Sequence, residues 1–123
     1  MSQSLSTGAL DGMRVIDFTN FLAGPYCTRI MADMGADVIK IEPPGGDQSR
    51  HLHPFHNKSS VRYAHLYAGK KSVVLDLKSA AGRTAAFELA LASDVVVESW
   101  RPGVAKRLGL DYAAVAEKKP SIV

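Results

Sequence analysis

Residues 13–42 read MRVIDFTNFLAGPYCTRIMADMGADVIKIE, and this stretch alternates between two hydrophobic patterns. Met13–Phe18 sets apolar residues next to one another, which is typical of a strand that is covered on both faces. Asp37–Glu42 repeats that pattern, and the segment between the two changes to a helical period. The stretch therefore predicts a βαβ unit whose parallel strands are joined by a right-handed crossover.

The helix predicted in this unit has sequence signals at both of its ends. Pro25 suits the first helical position, and Gly35 suits the residue that follows the helix. Apolar residues recur at intervals of three and four and predict its buried face: Cys27, Ile30, Met31 and Met34. Cys27 is therefore interpreted as a packing residue rather than a nucleophile.

The same alternation continues through the rest of the chain. The predicted elements are a short helix at Ser60–Tyr67, a strand at Ser72–Leu77, a helix at Ser79–Ser93, a strand at Asp94–Glu98, and helical pieces at Pro102–Leu108 and Asp111–Lys118. Ser121–Val123 reads as the start of a fifth strand, with a frayed tail as the alternative. We expect an α/β fold, a Rossmann-like open, mostly parallel sheet with helices on both faces, truncated at its fifth strand. On that expectation, the chain is the N-terminal piece of a longer protein.

Composition narrows the class of protein. A chain of 123 residues with 46% hydrophobic residues fits one globular domain and excludes wholesale disorder. Charges interrupt the longest apolar stretches, and the N-terminus shows no secretory signal, so neither a membrane span nor export is expected. Cys27 is the single cysteine, so we expect no disulfide framework and a cytoplasmic location.

The charge balance argues against a nucleic-acid partner. The net charge is +3, and the basic residues are spread along the chain instead of forming a stripe. Nucleic-acid binding would need a denser cluster of cations with aromatic residues among them. A few cations facing one small polyanion explain the surplus equally well.

Ligands of open α/β sheets bind beyond the C-terminal ends of the strands. The first such loop, residues 19–24, leads into a helix N-terminus, where free backbone amides favour an anion. Gly24 stands without the companion glycines of the dinucleotide-binding motif, which disfavours a nicotinamide or flavin site. Glu42, at the end of the second strand, is accordingly interpreted as a solvated strand end.

The long segment after the second strand contains all four histidines: His51, His53, His56 and His65. No cysteine and few carboxylates accompany them, and no predicted helix holds them at a fixed spacing, so we predict exposed histidines and no metal site. A connection of this length is either functional or contains a further element. No Ser-His-Asp or Cys-His arrangement stands out.

Several sequence blocks, in order along the chain, carry a resemblance to a known family. They are Ala23–Thr28, Ala32–Gly45, Gly69–Ser72 with Leu75–Lys78, Asp94–Glu98, and Arg101–Gly103 with Arg107–Gly109. Through these blocks the chain resembles the N-terminal portion of family III CoA-transferases, the CaiB/BaiF type, which includes relatives of formyl-CoA transferase and α-methylacyl-CoA racemase. The resemblance spans about residues 10–123.

This resemblance implies a Rossmann-like half-domain that binds coenzyme A. Residues 10–123 would form it incompletely, after a disordered tail at residues 1–9. Members of the family move CoA from an acyl-CoA to a carboxylic acid through an aspartyl-CoA intermediate, without a metal, and their complete chains form an interlocked homodimer. The family's aspartate follows the fifth strand, so the resemblance assigns no catalytic residue to this chain.

The resemblance also assigns eight residues to coenzyme A: Phe21, Leu22, Leu75, Lys78, Ser99, Trp100, Arg107 and Leu108. Phe21 and Leu22 match a loop near the pantetheine arm, although some members have glutamine at the second position. Ser99 and Trp100 stand where many members have Asn-Phe. Some members carry an arginine at the position of Pro43, and Arg50 is a candidate substitute for it.

Elementary chemistry agrees with two of these assignments. Coenzyme A carries a pyrophosphate and a 3′-phosphate, and the sequence predicts Lys78 at the end of the third strand and Arg107 beyond the fourth, on the ligand side. Two alternatives to a transferase stay open. One is an acyl-CoA racemase of the same family, and the other is a non-catalytic nucleotide-binding or interaction module.

Overall fold

A computed structural model describes residues 8–123. The predicted tail at residues 1–9 thus lies mostly outside the described residues. The strands and helices are β1 (Arg14–Asp17), α1 (Ala23–Asp33), β2 (Asp37–Glu42), a 3-10 helix (Gln48–His51), β3 (Phe55–His56), β4 (Ser59–Ser60), α2 (Val61–Tyr67), β5 (Lys71–Val74), α3 (Ala80–Leu91), β6 (Val95–Val97), α4 (Val104–Leu108) and α5 (Tyr112–Lys118). Among these residues, no helix combines the length and apolar character needed to cross a bilayer.

Within residues 8–123, four strands form one parallel sheet in the order β5-β2-β1-β6. Val15 of β1 lies opposite Val38 of β2 on one side and Val95 of β6 on the other. Ile41 of β2 lies opposite Val73 of β5. Every neighbouring pair is parallel, so the predicted Rossmann-like open sheet is confirmed.

Side chains on the two faces of the sheet form separate cores. On one face, Ile16 and Ile41 pack with Ala86 of α3. On the other face, Val15 and Val38 pack with Met31 of α1. Helices therefore cover both faces, as the adjacent apolar residues of the strands predict.

The predicted fifth strand is represented by one hydrogen-bonded position. The Val123 amide donates to the Asp94 carbonyl at 3.1 Å, and its carbonyl accepts from the Val96 amide at 2.9 Å. This alternation is that of a parallel ladder, so Val123 lies beside β6, although no strand is formed over Ser121–Val123.

The third predicted strand, Ser72–Leu77, is shorter than its apolar run. β5 ends at Val74, and the Leu75 amide still donates to the Glu42 carbonyl at 2.9 Å. The chain then turns, because the Ser79 amide donates to the Asp76 carbonyl at 3.0 Å. Lys78 therefore lies in the turn before α3 and does not close the strand.

The buried face predicted for α1 is wrong in most of its residues. Cys27, Ile30 and Met34 are exposed, whereas Pro25 and Thr28 are buried. The reason is polar: the Thr28 hydroxyl donates to the carboxylate of Asp17 at 2.6 Å, which turns that side of the helix toward the sheet. Of the predicted face, Met31 alone packs against the described core, and Cys27 is not a core residue.

The long connection between β2 and β5 contains further elements, as its length predicts. The 3-10 helix comes first, and β3 and β4 then form an antiparallel hairpin in which Phe55 lies opposite Ser60. α2 follows, and the Ser60 hydroxyl caps it by accepting from the Tyr63 amide at 3.2 Å. The short helix predicted at Ser60–Tyr67 is confirmed.

Candidate functional site

A cleft of about 540 Å³ opens at the C-terminal ends of the four parallel strands. Asn20 and Phe21, after β1, form one wall, and Pro43, Pro44 and Gln48, after β2, form another. The floor and the remaining sides come from residues 75–78 after β5 and from Trp100 after β6. This is where an open α/β sheet binds its ligands.

Four of the eight predicted coenzyme A residues line this cleft: Phe21, Leu75, Lys78 and Trp100. The side chain of Phe21 is 60% exposed, and its backbone has the left-handed φ of 69°. The Trp100 ring packs on Phe18 with a centroid distance of 5.1 Å. The cleft thus offers two aromatic surfaces and one ammonium group to a ligand.

The other four predicted residues lie outside the lining of the cleft: Leu22, Ser99, Arg107 and Leu108. Leu22 is 66% exposed at the start of α1, and Leu108 packs against the core. The Ser99 hydroxyl accepts from the Asn20 amide at 3.4 Å and so connects the loops after β1 and β6. Arg107 is exposed on α4.

Lys78 has a fixed backbone and an exposed side chain. Its amide donates to Oδ1 of Asp76 at 3.0 Å, and its carbonyl accepts from the Arg83 guanidinium at 2.8 Å. Ser79 then caps the N-terminus of α3, since its hydroxyl accepts from the Gly82 amide at 2.9 Å. The turn therefore holds the Lys78 main chain at the edge of the cleft.

Glu42 is buried, so its interpretation as a solvated strand end is wrong. Its side chain is 1% exposed and forms a bidentate ion pair with Arg50, with both N···O distances at 2.7 Å. It also accepts from the hydroxyl groups of Ser72 at 2.7 Å and Tyr63 at 2.8 Å, and from the Asp47 amide at 2.7 Å. The hydrogen bonds from Arg50 and these neighbours outweigh burial and hold the pKa of the Glu42 carboxyl well below its usual range.

This arrangement has two consequences for ligand binding. Glu42 already accepts five hydrogen bonds and has little capacity left for a ribose hydroxyl, which argues against a dinucleotide site. Arg50 lies with its guanidinium 4.0 Å above the Tyr63 ring and bonded to Glu42. The Arg50 guanidinium is thus occupied by the Glu42 carboxylate. Arg50 is therefore a weaker candidate to replace the arginine that some family members carry at the position of Pro43.

A second group of buried charges lies beneath the loop after β1. Lys70 donates to Asp17 at 3.0 Å, and both side chains are 1% exposed or less. Burial alone would raise the pKa of the Asp17 carboxyl, but hydrogen bonds from Thr19 and Thr28 and the charge of Lys70 hold it below its usual value. Nearby, Lys40 lies 3.5 Å from the carboxylate of Asp47, each 1% exposed.

Comparison with known proteins identifies the family of the chain, and the match includes every residue of the cleft. Residues 10–123 match the model of CoA-transferase family III. The chain belongs to this family. The resemblance carried by the ordered sequence blocks is therefore confirmed.

Several relatives of this CoA-transferase family chain are close in sequence. It is 42% identical over 117 residues to the acetyl-CoA:oxalate CoA-transferase of Acetobacter aceti, covering 94% of this chain and 30% of that protein. It is 40% identical over 121 residues to the succinyl-CoA:mesaconate CoA-transferase of Haloarcula hispanica, covering 94% of this chain and 31% of the relative. The chain thus spans about a third of the length of these relatives.

Solved structures show the same fold at this level of identity. The crystal structure of a CAIB/BAIF family protein from Brucella suis superposes with a TM-score of 0.89 at 32% identity, covering 95% of this chain and 32% of that one. A hypothetical protein from Mycobacterium tuberculosis gives a TM-score of 0.88 at 36% identity, covering 94% of this chain and 32% of its own.

Sequence reasoning missed the buried, charged side chains near the cleft of this CoA-transferase family chain, which form the pairs Lys40–Asp47 and Lys70–Asp17. A signal for one of them existed. Lys40 stands between isoleucines in a strand whose apolar pattern predicts coverage on both faces, so its side chain has to be buried and partnered. Nothing in the local sequence indicates Asp47 or Lys70 as members of these clusters.

The four histidines are exposed, as predicted, but only His53 lies in a loop, since His51 lies in the 3-10 helix, His56 in β3 and His65 in α2. His53 packs edge-on against Phe55 with a centroid distance of 4.5 Å. In the part of the chain that the structure describes, no three potential ligand side chains gather into a metal-binding group. The absence of a metal from the protein stays a prediction.

Proposed function

We propose that the cleft binds the coenzyme A portion of an acyl-CoA, and that the protein moves CoA from an acyl-CoA to a carboxylic acid. One observation carries this proposal: membership of CoA-transferase family III extends over residues 10–123, and these residues form a cleft at the ligand-binding end of the sheet. Some relatives are named for CoA transfer to oxalate or mesaconate, which suggests a small dicarboxylic acid as acceptor.

The chemistry of the cleft suits the parts of coenzyme A. Phe21, Leu75 and Trp100 offer apolar surface to the adenine ring and the pantetheine arm, and Lys78 offers an ammonium group to the phosphates. We assign Arg107, on the exposed side of α4, to the phosphates as a bidentate donor. Leu22, Ser99 and Leu108 are assigned to the borders of the same site.

The transfer itself is proposed to run through an aspartate outside residues 1–123. Its carboxylate would attack the thioester carbonyl, and the C–S bond would break with CoA leaving as the thiolate. The thiolate would then attack the aspartyl carbonyl of the resulting anhydride, releasing the donor acid and leaving an aspartyl-CoA thioester. The acceptor carboxylate would repeat these two steps in the reverse direction.

The acidic residues of the cleft argue against a nucleophile within the described chain. Glu42 accepts five hydrogen bonds, which lower the reactivity of its oxygens. Asp76 holds the turn by accepting from the Lys78 amide. The names of the relatives favour a transferase over a racemase, and family membership favours an enzyme over a non-catalytic module.

We also propose that the whole protein acts as a homodimer in the cytoplasm. α1 and the residue that follows it present a row of exposed apolar side chains at four-residue spacing, with exposed fractions of 41–50%: Tyr26, Ile30 and Met34. Such a row is typical of a surface that another part of the assembly covers, either a partner subunit or the remainder of the same chain. Sedimentation of the whole protein should give a dimer at all concentrations, and a stable monomer would contradict the proposal.

Binding of coenzyme A to a Lys78→Ala variant tests the proposed site. A hydrogen bond between an ammonium group and a phosphate contributes about 1.5–3 kcal/mol, so the Kd should rise by about tenfold or more and depend less on salt. Isothermal titration calorimetry measures both quantities. Lys118→Ala, an exposed lysine on α5, is the matched control and should bind like the unmodified protein.

Two results would contradict the proposal. If coenzyme A does not bind to the unmodified protein, the proposed function is wrong. If coenzyme A binds with equal affinity to the Lys78→Ala and Lys118→Ala variants, the proposed function stands but Lys78 does not belong to the site.

A further inference from the structure

We infer that Lys40 is a positioning residue that holds together the two loops forming the walls of the cleft. The first loop comprises residues 18–22, and the second loop comprises residues 43–48, the last of which begins the 3-10 helix. For its ligand the inference rests on the function proposed above. It concerns a buried ammonium group that itself does not line the cleft.

Lys40 reaches the first loop through a main-chain contact. Its Nζ atom donates to the carbonyl oxygen of Thr19, which is fully buried. The Thr19 amide and hydroxyl both donate to Oδ1 of Asp17, at 2.8 and 2.5 Å. Thr19 is therefore fixed by Asp17 through its amide and hydroxyl and by Lys40 through its carbonyl. Asn20 and Phe21 follow directly and line the cleft.

The first loop also carries a backbone conformation that its surroundings must impose. Phe21 has a φ of 69°, in the left-handed region that residues with a side chain rarely adopt. Beyond the loop, in the first turn of α1, a Cβ atom on Gly24 would lie 2.3 Å from that of Thr19, so α1 begins in close contact with Thr19. Thr19 is thus the fixed point from which Phe21 extends.

Lys40 reaches the second loop through Asp47. The Nζ atom lies 3.5 Å from Oδ2 of Asp47, and the two side chains are each 1% exposed. The Asp47 amide donates to Glu42 at 2.7 Å, and its carboxylate accepts from the Ser49 amide at 2.8 Å and from the Tyr67 hydroxyl at 3.1 Å. Pro43 and Gln48 of the same loop line the opposite wall of the cleft.

The cost of burying a charge explains why this contact is informative. An ion pair in the interior contributes little net stability compared with apolar side chains of the same volume. An apolar side chain at position 40 could fill the space, but it could not bind a carbonyl of one loop and a carboxylate of the other. The two partners therefore indicate that the ammonium group fixes the separation of the loops.

A charge-balanced variant, Lys40→Met with Asp47→Asn, tests this role without leaving an unpaired buried carboxylate. The matched control is Val38→Ala, which weakens the core on the α1 face of the sheet and touches neither loop. Two ligands are compared by calorimetry: coenzyme A, and adenosine 3′,5′-bisphosphate, which lacks the pantetheine arm. The single tryptophan, Trp100, supplies a readout without ligand through quenching of its fluorescence by acrylamide.

If the loops are displaced in the double variant, its Kd for coenzyme A should rise by about tenfold. Its Kd for the bisphosphate should change little, because Phe21 is assigned to the pantetheine arm, which the bisphosphate lacks. The quenching constant of Trp100 should rise in the double variant and stay unchanged in Val38→Ala. An equal loss for both ligands, or an unchanged quenching constant, would overturn the inference.

Two further outcomes are also decisive. If the unmodified protein binds neither ligand, the proposed function fails and the quenching comparison alone decides the role of Lys40. If the double variant does not fold, Asp47→Asn by itself, which keeps an oxygen acceptor for Ser49, must raise the quenching constant. Unchanged quenching in that variant would overturn the inference.

Discussion

Phe21 combines an exposed aromatic side chain with a left-handed backbone. Its side chain is 60% exposed and its φ is 69°. A left-handed conformation costs a residue with a Cβ atom roughly 1–2 kcal/mol. An exposed phenyl ring is not removed from water and so contributes no hydrophobic stabilisation to the fold. Neither property stabilises the fold, and both agree with the role in the cleft that we propose for this residue.

Substitution of Phe21 should separate its cost to stability from its role in binding. We predict that Phe21→Gly is more stable than Phe21→Ala by about 1 kcal/mol, because glycine adopts a positive φ without strain. Both variants should bind coenzyme A more weakly than the unmodified protein. Urea unfolding and calorimetry measure the two effects. Equal stability of the two variants would refute the strain, and unchanged affinity would refute the contact.

At the scale of the elements, α1 shows how one polar contact can orient a helix. Thr28 faces the sheet and donates to Asp17 at 2.6 Å, whereas Ile30 on another side of the helix is 43% exposed. Arg29 and Asp33 form an ion pair at 2.9 Å across one turn of the same helix. Its orientation follows from Thr28 rather than from its most apolar residues.

We therefore predict that Thr28→Val destabilises the protein more than Cys27→Ala does. Valine keeps the shape of threonine but removes the donor to a buried carboxylate, which costs about 1–3 kcal/mol. Truncation of the exposed Cys27, a residue of the predicted buried face, should cost at most about 0.5 kcal/mol. Urea unfolding at neutral pH measures both differences. The reverse order would support the buried face that the sequence predicts.

The sequence predicts the elements well because their signals are local. The runs of adjacent apolar residues in the strands and the change of period around Pro25 lie within the elements that they specify. The errors at α1 and Glu42 have a different origin. Glu42 is bound by Ser72, 30 residues away, and Asp17 by Lys70, 53 residues away. A local pattern carries no information on such partners.

The candidate site was predictable only in part for the same reason. The loops at the C-terminal ends of the strands follow from the fold class, but the assignment of eight residues depends on the resemblance to a family. Phe21 and Lys78 line the cleft, whereas Arg107 and Leu22 lie outside its lining. Lys40 was predictable only in part. Its burial follows from the apolar pattern of the strand, but its partners, Thr19 and Asp47, do not follow from any local pattern.

At the scale of the whole molecule, the parallel sheet brings four loops to one edge, and the buried ions lie directly beneath two of them. Residues from the ends of β1, β2, β5 and β6 share the cleft. Lys40 joins the walls from below, and Glu42 with Arg50 closes the base beside the second loop. The polar groups inside the fold thus support the proposed binding surface, while apolar side chains hold the two faces of the sheet.

The central claim is that this cleft binds coenzyme A, and Trp100 allows the most direct measurement. It is the single tryptophan of the chain and lines the cleft, so its fluorescence reports on this place alone. We predict that coenzyme A changes the emission along a saturable curve, and that Lys78→Ala shifts the midpoint to a concentration about tenfold higher. An emission that stays constant, or changes linearly without saturation, up to about 1 mM coenzyme A would contradict the claim.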